Sequence, residues 1–239
     1  MTQVPRISFV FLDSETTGLS RPRVSELSLV AVHRCSLLQP PRDPDSGLPL
    51  PPRIVDKLTL CMTPQKPFEP AAEELTGLSN WSLQENGKPG FDQAVVQAIE
   101  CFLARQAGPV CLVAHNGFGY DFPLLRAELD RLEADLPPAT GCLDTLLALR
   151  ELEKPCKRSY QLVELYKRYY GQGPELAHSA EGDVHTLLMV FLFRAPKLVE
   201  WAAYNARSWA DILPLYPQSP RDSSIELSGE FSPSGSIGG

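Results

Sequence analysis

Two carboxylates stand close together near the start of the chain, in the segment FLDSETTGL at residues 11–19. Asp13 and Glu15 are two residues apart at the end of an apolar run, so in a strand both would point to the same face. Two neighbouring anions repel each other, and a proton or a cation must neutralise them. Oxygen ligands of this kind suit Mg²⁺ or Mn²⁺. Taken alone, the segment is equally typical of a strand that ends in a solvated turn.

A second carboxylate position follows the buried run at 110–115, in the segment AHNGFGYDFPLL at 114–125. Asp121 stands at the start of a predicted helix, where an aspartate often caps the N-terminal amides. Asn116 and Tyr120 share the same turn and favour a functional role. Both readings stay open on these residues alone.

The third position is AHSAEGDVHTLL at 177–188. Ser179 is a suitable N-cap, which places His178 in the loop before a helix and Asp183 about one turn inside it. Both side chains can therefore face one cleft. A single histidine before a helix is more often a surface residue than a catalyst, and we interpret the other three histidines in that way. His115 continues a buried strand and is interpreted as structural.

Apolar periodicity predicts the elements that position these residues. Short strand-like runs occur at 7–13, 25–33 and 53–62, followed by a helix from 91 to 108, a strand at 110–115, a helix at 121–135 and a helix-rich C-terminal part. This order predicts an α/β fold of the ribonuclease H-like class. Its mixed central sheet would have three antiparallel strands, then parallel strands, with helices on both faces.

Proline and glycine mark the predicted boundaries. Prolines concentrated at 39–53 remove backbone donors and predict a long surface loop, or alternatively a docking strip for an aromatic-lined partner groove. The Ser/Gly/Pro-rich segment at 217–239 is predicted to be a disordered tail. We therefore expect one domain over 1–216.

Charge and composition limit the class of protein. The net charge of −7 and pI near 5.2 exclude a general basic surface for nucleic acid, so a polyanion would have to be held locally. The six cysteines show no metal-binding spacing and are expected to be reduced. No secretion signal or membrane-length apolar run is present, which predicts an intracellular protein of the nucleus or cytoplasm.

The three acidic segments together resemble the DEDD exonuclease superfamily in its histidine-containing branch, with DSE, NGFGYD and HSAEGD as the matching motifs. The segments FLDSETTGL, VDKLTLCMTP, ELTGLS, CLVAHNGFGYDFPLL and HSAEGDVHTLL are similar to the three-prime repair exonuclease family, in its short form without a membrane anchor. The resemblance covers almost all of 7–216. It implies a 3′-to-5′ DNA exonuclease that releases nucleoside 5′-monophosphates from single-stranded or mispaired ends.

The resemblance also implies roles for individual residues. It assigns two Mg²⁺ ions, replaceable by Mn²⁺, to Asp13, Glu15, Asp121 and Asp183, with His178 as the general base. It further places four residues at the substrate: Thr16 and Leu19 near the terminal nucleotide, Leu75 beside the bases and Tyr120 near the scissile phosphate. Core packing is the alternative for Leu75.

Family kinship implies a homodimer that pairs the strand at 54–62 edge to edge. This sequence departs from close relatives at Ser14 and Thr16, and its basic segment at 152–160 is short, which predicts weaker DNA binding. Two alternatives remain for the function. One is a 3′-to-5′ exoribonuclease of the same fold, which a contact to the 2′-hydroxyl would distinguish. The other is a catalytically silent protein that binds nucleic-acid ends.

Overall fold

Six strands form one mixed sheet in the computed structural model, which describes residues 7–154 and 158–217. The strands are β1 (Ser8–Thr16), β2 (Val24–His33), β3 (Asp56–Cys61), β4 (Val110–Ala114), β5 (Gly141–Asp144) and β6 (Arg207–Ser208). Their order in the sheet is β3-β2-β1-β4-β5-β6. The first three strands are antiparallel, β4 and β5 run parallel to β1, and β6 is antiparallel to β5. The predicted mixed α/β sheet is confirmed.

Helices cover both faces of this sheet, as predicted. They are α1 (Arg34–Leu38), α2 (Pro70–Thr76), α3 (Asn80–Glu85), α4 (Gln93–Ala104), α5 (Asp121–Arg131), α6 (Thr145–Leu152), α7 (Leu162–Tyr170), α8 (Ala180–Phe193) and α9 (Ala195–Asn205). Phe9 and Phe11 of β1 pack with α6 to α9 on one face, whereas Val10 and Leu12 pack with α4 and α5 on the other. Because β1 is buried on both faces, its sequence is a continuous apolar run.

Strand β1 extends further than the sequence indicates. The apolar run ends at Asp13, but pairing with β2 continues to Thr16, with Glu15 opposite Glu26 and a bulge after Glu15. The acidic pair therefore lies inside a paired strand, in a rigid part of the sheet.

Helix α8 begins beside this end of β1. The hydroxyl of Ser179 accepts the amide N–H of Gly182 at 3.2 Å, which confirms the predicted N-cap. A Cβ atom at Gly182 would lie 1.7 Å from the carbonyl oxygen of Leu176. Glycine is thus required for the preceding loop to pass close to the helix and bring His178 to its start.

Several boundaries differ from the prediction. The third strand forms only over Asp56–Cys61, because its pairing with β2 begins at Asp56, opposite Ala31, and the predicted residues 53–55 lie outside the ladder. The helix from Asp121 ends at Arg131, and Glu133 adopts a left-handed backbone with φ 52°. The short helices α1 to α3 were not predicted, since they are too brief to show a period.

Other predictions concern the cysteines, the chain ends and the loop. Five of the six cysteines lie in the described residues, and all five are free thiols. The predicted tail lies outside the described residues except for Pro217, as do residues 155–157 of the basic segment. Within the described ranges, no helix combines the length and apolar character needed to cross a bilayer. The segment at 39–53 contains one isolated bridge, between Arg42 and Pro49.

Candidate active site

Three of the predicted carboxylates meet in space. Asp13 and Glu15 from β1 and Asp183 from the first turn of α8 each offer an oxygen, and these oxygens all lie within 4.8 Å of one another. The residues are about 170 positions apart in sequence, yet α8 packs directly against β1 and β2. The two-residue spacing of Asp13 and Glu15 in β1 and the N-cap of α8 together bring the three carboxylates into contact. We call Asp13, Glu15 and Asp183 the acidic cluster.

The acidic cluster holds its protons strongly. Burial, followed by repulsion from Asp121, Asp183 and Glu15, raises the pKa of Asp13 well above its usual range. Burial and the neighbouring carboxylates raise the pKa of Glu15 to about 7. Burial also raises the pKa of Asp183. All three carboxylates can be ionised together near neutral pH only if a cation offsets their charge, and a set of oxygen donors fits a hard divalent ion.

Asp121 lies beside the cluster at the start of α5. It is only 6% exposed, and the hydroxyl of Ser14 donates a hydrogen bond to its Oδ1 at 2.9 Å. Burial raises the pKa of Asp121 to about 7 in spite of the bond from Ser14. Asp121 is outside the group within 4.8 Å, but its charge acts on Asp13 and Glu15. The fourth predicted carboxylate is thus adjacent to the other three.

His178 occupies the loop directly before α8. Its backbone N–H donates to Oδ2 of Asp183 at 3.1 Å, so the residue is tied to the acidic cluster. Its backbone is left-handed, with φ 70°, and the residue is exposed. The ring is therefore accessible to a ligand in the cleft.

Two acidic residues near the site escaped the sequence reasoning. Glu26 of β2 faces Glu15 across the strand pair and accepts the N–H of Ala180 at 2.9 Å, which fixes the first residue of α8. Burial raises the pKa of Glu26. Its only signal in the sequence was a carboxylate inside an apolar strand, SELSLVAVH.

The other missed residue is Asp144 at the end of β5. Its carboxylate accepts backbone N–H groups from Asn116 and Phe118, each at 3.1 Å, and caps α6. It therefore holds the turn that leads to Asp121. The signal in the sequence was an aspartate directly after a short apolar run and before a helix.

Of the predicted substrate residues, Thr16 ends β1, Leu19 follows in the next loop, Leu75 is on α2 and Tyr120 directly precedes α5. The hydroxyl of Tyr120 is 2.9 Å from Oγ1 of Thr16 and 3.2 Å from the carbonyl oxygen of Gly18. These contacts link the start of α5 to the end of β1. Thr16 and Tyr120 thus come together next to Glu15, as expected for neighbours of one site.

Leu19 and Leu75 are both exposed, at 83% and 55%. The core-packing alternative for Leu75 is therefore wrong. Glu69 connects the two leucines, because its carboxylate accepts the N–H groups of Leu19 at 3.2 Å and Ser20 at 3.0 Å, while its backbone begins helix α2, which carries Leu75. The spacing of these two apolar side chains is fixed through Glu69.

His115 is a structural residue in this arrangement. Its ring nitrogens lie 2.9 Å from Oγ1 of Thr145 and 2.8 Å from the carbonyl oxygen of Tyr160, and burial lowers its pKa. The ring joins β4, α6 and the segment before α7. The sequence interpretation of His115 agrees with these contacts.

Comparison with known proteins gives consistent matches. The family model described as "Exonuclease" (RNase_T) matches residues 10–191. Three prime repair exonuclease 2 from Mus musculus is 55% identical over 233 residues, covering 92% of this chain and 98% of the relative. Three-prime repair exonuclease 1 from Bos taurus is 45% identical over 224 residues, covering 89% of this chain and 71% of the relative.

Among solved structures, the zinc-bound complex of E. coli ExoI with single-stranded DNA superposes with a TM-score of 0.61 at 18% identity. The match covers 83% of this chain and 43% of ExoI, so this chain spans less than half of that protein. At this identity the likeness concerns the fold. It agrees with the ribonuclease H-like architecture predicted from the order of the elements.

Proposed function

The chain belongs to the three prime repair exonuclease family, and on this premise we propose that it is a metal-dependent 3′-to-5′ DNA exonuclease that uses the acidic cluster. The observation that carries the proposal is the convergence of Asp13, Glu15 and Asp183 within 4.8 Å. Three neighbouring carboxylates repel each other and destabilise the folded chain unless a cation is bound. Their convergence therefore points to a metal site rather than to ordinary packing.

The carboxylates of Asp13, Glu15, Asp121 and Asp183 would hold two Mg²⁺ ions, with Mn²⁺ as a substitute. Bound there, the ions would supply Lewis-acid stabilisation of the charge that develops on the phosphate oxygens. His178 is exposed next to Asp183 and would accept the proton of the attacking water. The product is a nucleoside 5′-monophosphate.

The exposed leucines fit a single-stranded or mispaired 3′ end. Leu19 and Leu75 present apolar surface to bases, while Thr16 and Tyr120 lie closer to the carboxylates and would contact the terminal nucleotide and its phosphate. Apolar contacts accept every base, because each base has a flat face, so we expect little sequence preference.

We further propose a homodimer through the segment 54–62. Strand β3 lies at the edge of the sheet, and Val55 just before it is 82% exposed. An unpaired edge next to apolar surface favours pairing with a second copy. Mass measurement by light scattering at micromolar concentration tests this, and a monomer would contradict it.

The proline-rich segment 39–53 is proposed as a docking strip for a partner with an aromatic-lined groove. The segment turns back on itself at the bridge between Arg42 and Pro49, and after this turn Leu50 is 38% exposed beside Pro51. Replacing the exposed Pro51 by alanine should weaken such binding without changing the activity. Unchanged binding in this variant would contradict the proposal.

Turnover of a labelled single strand tests the function. Wild type should shorten the DNA from its 3′ end with Mg²⁺ and not with EDTA, and His178→Ala should be at least 100-fold slower, since general-base contributions are about 10² to 10⁴. An RNA strand of the same sequence provides the second arm. Faster turnover of RNA, or turnover in EDTA, would contradict the proposal.

A further inference from the structure

An exposed tryptophan lies on helix α3, in the part of the chain that carries the two exposed leucines. Trp81 is 72% exposed, whereas Trp209 in the core is 1% exposed. Tryptophan is mostly buried in folded proteins, because its large ring gains free energy when water is removed from it. When its ring is left in water on a folded element, the residue is well suited to bind a ligand, and tryptophan is enriched among the strongest binding contacts.

Helix α3 is held against the segment that precedes α2. The side-chain amide of Asn80, the first residue of α3, accepts the N–H of Phe68 at 3.0 Å and donates to the carbonyl oxygen of Lys66 at 3.0 Å. A capping box from Ser79 also fixes the first turn. Trp81 therefore stands on a helix end whose position is fixed by side-chain and backbone hydrogen bonds.

The same segment is bound to the loop that carries Leu19. The backbone N–H of Glu69 donates to the carbonyl oxygen of Thr17 at 2.7 Å, and its carboxylate accepts the N–H groups of Leu19 and Ser20. Phe68, which bonds to α3, is the residue directly before Glu69. The start of α3 and the loop after β1 are thus attached to consecutive residues of one segment.

The position of Trp81 in α3 directs its ring toward the end of α2. Side chains of a helix tilt toward its N-terminus, and Trp81 is the second residue of α3. The short connection from α2 begins at Gly77, which turns the chain with φ 69°. Leu75, the last residue but one of α2, lies on the other side of this connection. Leu19, Leu75 and Trp81 therefore belong to one unit made of the loop, α2 and α3.

We propose that Trp81 stacks on a base of the bound strand beyond the bases that Leu19 and Leu75 contact. The inference rests on the proposed function and extends its base-contacting surface onto α3. Every base has a flat face, so stacking on the indole ring adds affinity without sequence preference. A paired base must first leave its duplex to make this contact, so Trp81 favours an unpaired strand.

Tryptophan fluorescence tests the contact. The chain has three tryptophans, and Trp81 is the exposed one, since Trp201 is half-buried and Trp209 is buried. A base stacked on Trp81 should quench the emission of this ring. The protein is titrated with an unlabelled single strand of about ten nucleotides, a length within the usual site size for single-strand binding. Ca²⁺ replaces Mg²⁺, and anisotropy of a labelled strand measures the affinity in parallel.

We expect the emission of wild type to fall as the strand binds. Trp81→Phe removes this signal but keeps an aromatic face, so its affinity should stay close to that of wild type. Trp81→Ala should weaken binding at least about fivefold, the lower limit for a base stacked on an aromatic side chain. It should melt close to wild type, because the ring is mostly exposed and alanine favours the helix.

Tyr204→Ala is the matched control. It removes an aromatic ring that is 84% exposed on α9, beside Ile7 and Pro109, which precede β1 and β4. The acidic cluster lies toward the other end of β1, so this variant should bind as wild type does. The proposal is overturned by unchanged emission of wild type on binding, by quenching that persists in Trp81→Phe, by unchanged affinity of Trp81→Ala, or by an equal loss in Tyr204→Ala.

The two proposals fail in different ways. If wild type binds the strand but does not shorten it in Mg²⁺, the exonuclease function fails, and the quenching still decides whether Trp81 contacts a base. If wild type shortens the strand and Trp81→Ala binds it equally well, the exonuclease function stands and the stacking proposal fails.

Discussion

The hydroxyl of Ser14 donates a hydrogen bond to the carboxylate of Asp121 at 2.9 Å, across 107 positions of sequence. Ser14 lies between the two acidic residues of β1, so the same strand supplies two carboxylates of the cluster and orients a neighbouring one. The bond fixes one oxygen of Asp121 and also favours its ionised form. Ser14 therefore has a definite structural role: its hydroxyl orients Asp121.

The first prediction follows from this bond. Ser14→Ala should increase the Mg²⁺ concentration needed for half-maximal turnover several-fold, because the carboxylate of Asp121 loses its orientation. The acidic limb of the pH–rate profile should move to higher pH, since a bond that favours the ionised carboxylate is removed. Ser14→Thr keeps the hydroxyl and should restore both values. A Mg²⁺ titration in which all three proteins agree would refute the role of Ser14.

The second prediction concerns stability without metal. The pKa of Glu15 is about 7 in the folded chain against an ordinary 4.5, so the folded state retains a proton that the unfolded state has lost between these values. The free energy of unfolding should therefore fall as pH rises from about 4.5 to 7 and stay low above it. Divalent ions should reduce this dependence by binding the ionised carboxylates.

Glu15→Gln removes the ionisable carboxyl group, and with it the pH dependence due to Glu15, while it keeps a side chain of the same shape. In EDTA at pH 8 it should raise the free energy of unfolding by about 1 to 2 kcal/mol, after allowance for solvent screening of a partly exposed group. The corresponding increase in Tm is roughly 2 to 8 °C for a domain of this size. Thermal melts at pH 5 and pH 8 measure it, and a lower Tm for the variant at pH 8 would contradict the electrostatic account.

The third prediction concerns the spacing of the two exposed leucines. Glu69→Gln weakens the acceptor for the Leu19 and Ser20 amides, so the loop should lose its fixed position relative to α2. We expect KM for a single strand to rise several-fold, with a smaller effect on kcat, because the loop contributes to binding rather than to bond cleavage. Glu74→Gln on α2 is the matched control and should behave as wild type. A loss of kcat at unchanged KM would place Glu69 in the chemical step instead.

The fourth prediction concerns the buried ion pairs of Glu128 with Arg23 and Arg131. Glu128→Gln removes the carboxylate that Arg23 and Arg131 share, and breaking a buried ion pair from one side costs about 3 to 5 kcal/mol. Glu164→Gln breaks the exposed pair with Lys167 and should cost less than about 0.5 kcal/mol. Urea unfolding of both variants gives the comparison, and similar losses would contradict a stabilising role of the buried pairs of Glu128.

Much of the fold could be predicted from the sequence because its apolar patterns are strong. Alternation along β1 placed Asp13 and Glu15 on one face, and the capping signal at Ser179 located the start of α8. Strand β1 is buried on both faces, so its continuous apolar run was enough to predict it as a strand.

The remainder of the site depends on contacts between distant elements, which local patterns do not encode. Glu26 and Asp144 act through backbone amides of α8 and of the turn before α5, so the sequence around them shows their unusual positions but not their partners. The ion pairs of Glu128 likewise join helix α5 to Arg23, directly before β2. The two residues are 105 positions apart in sequence, whereas the fold places them in contact.

The central claim is that Asp13, Glu15 and Asp183 bind divalent ions together, and metal binding to wild type and Asp183→Asn tests it most directly. Calorimetric titration with Mn²⁺ should show binding to wild type and at least tenfold weaker binding to Asp183→Asn, while the two proteins have similar circular dichroism spectra. Equal Mn²⁺ affinity in the two folded proteins would contradict the account.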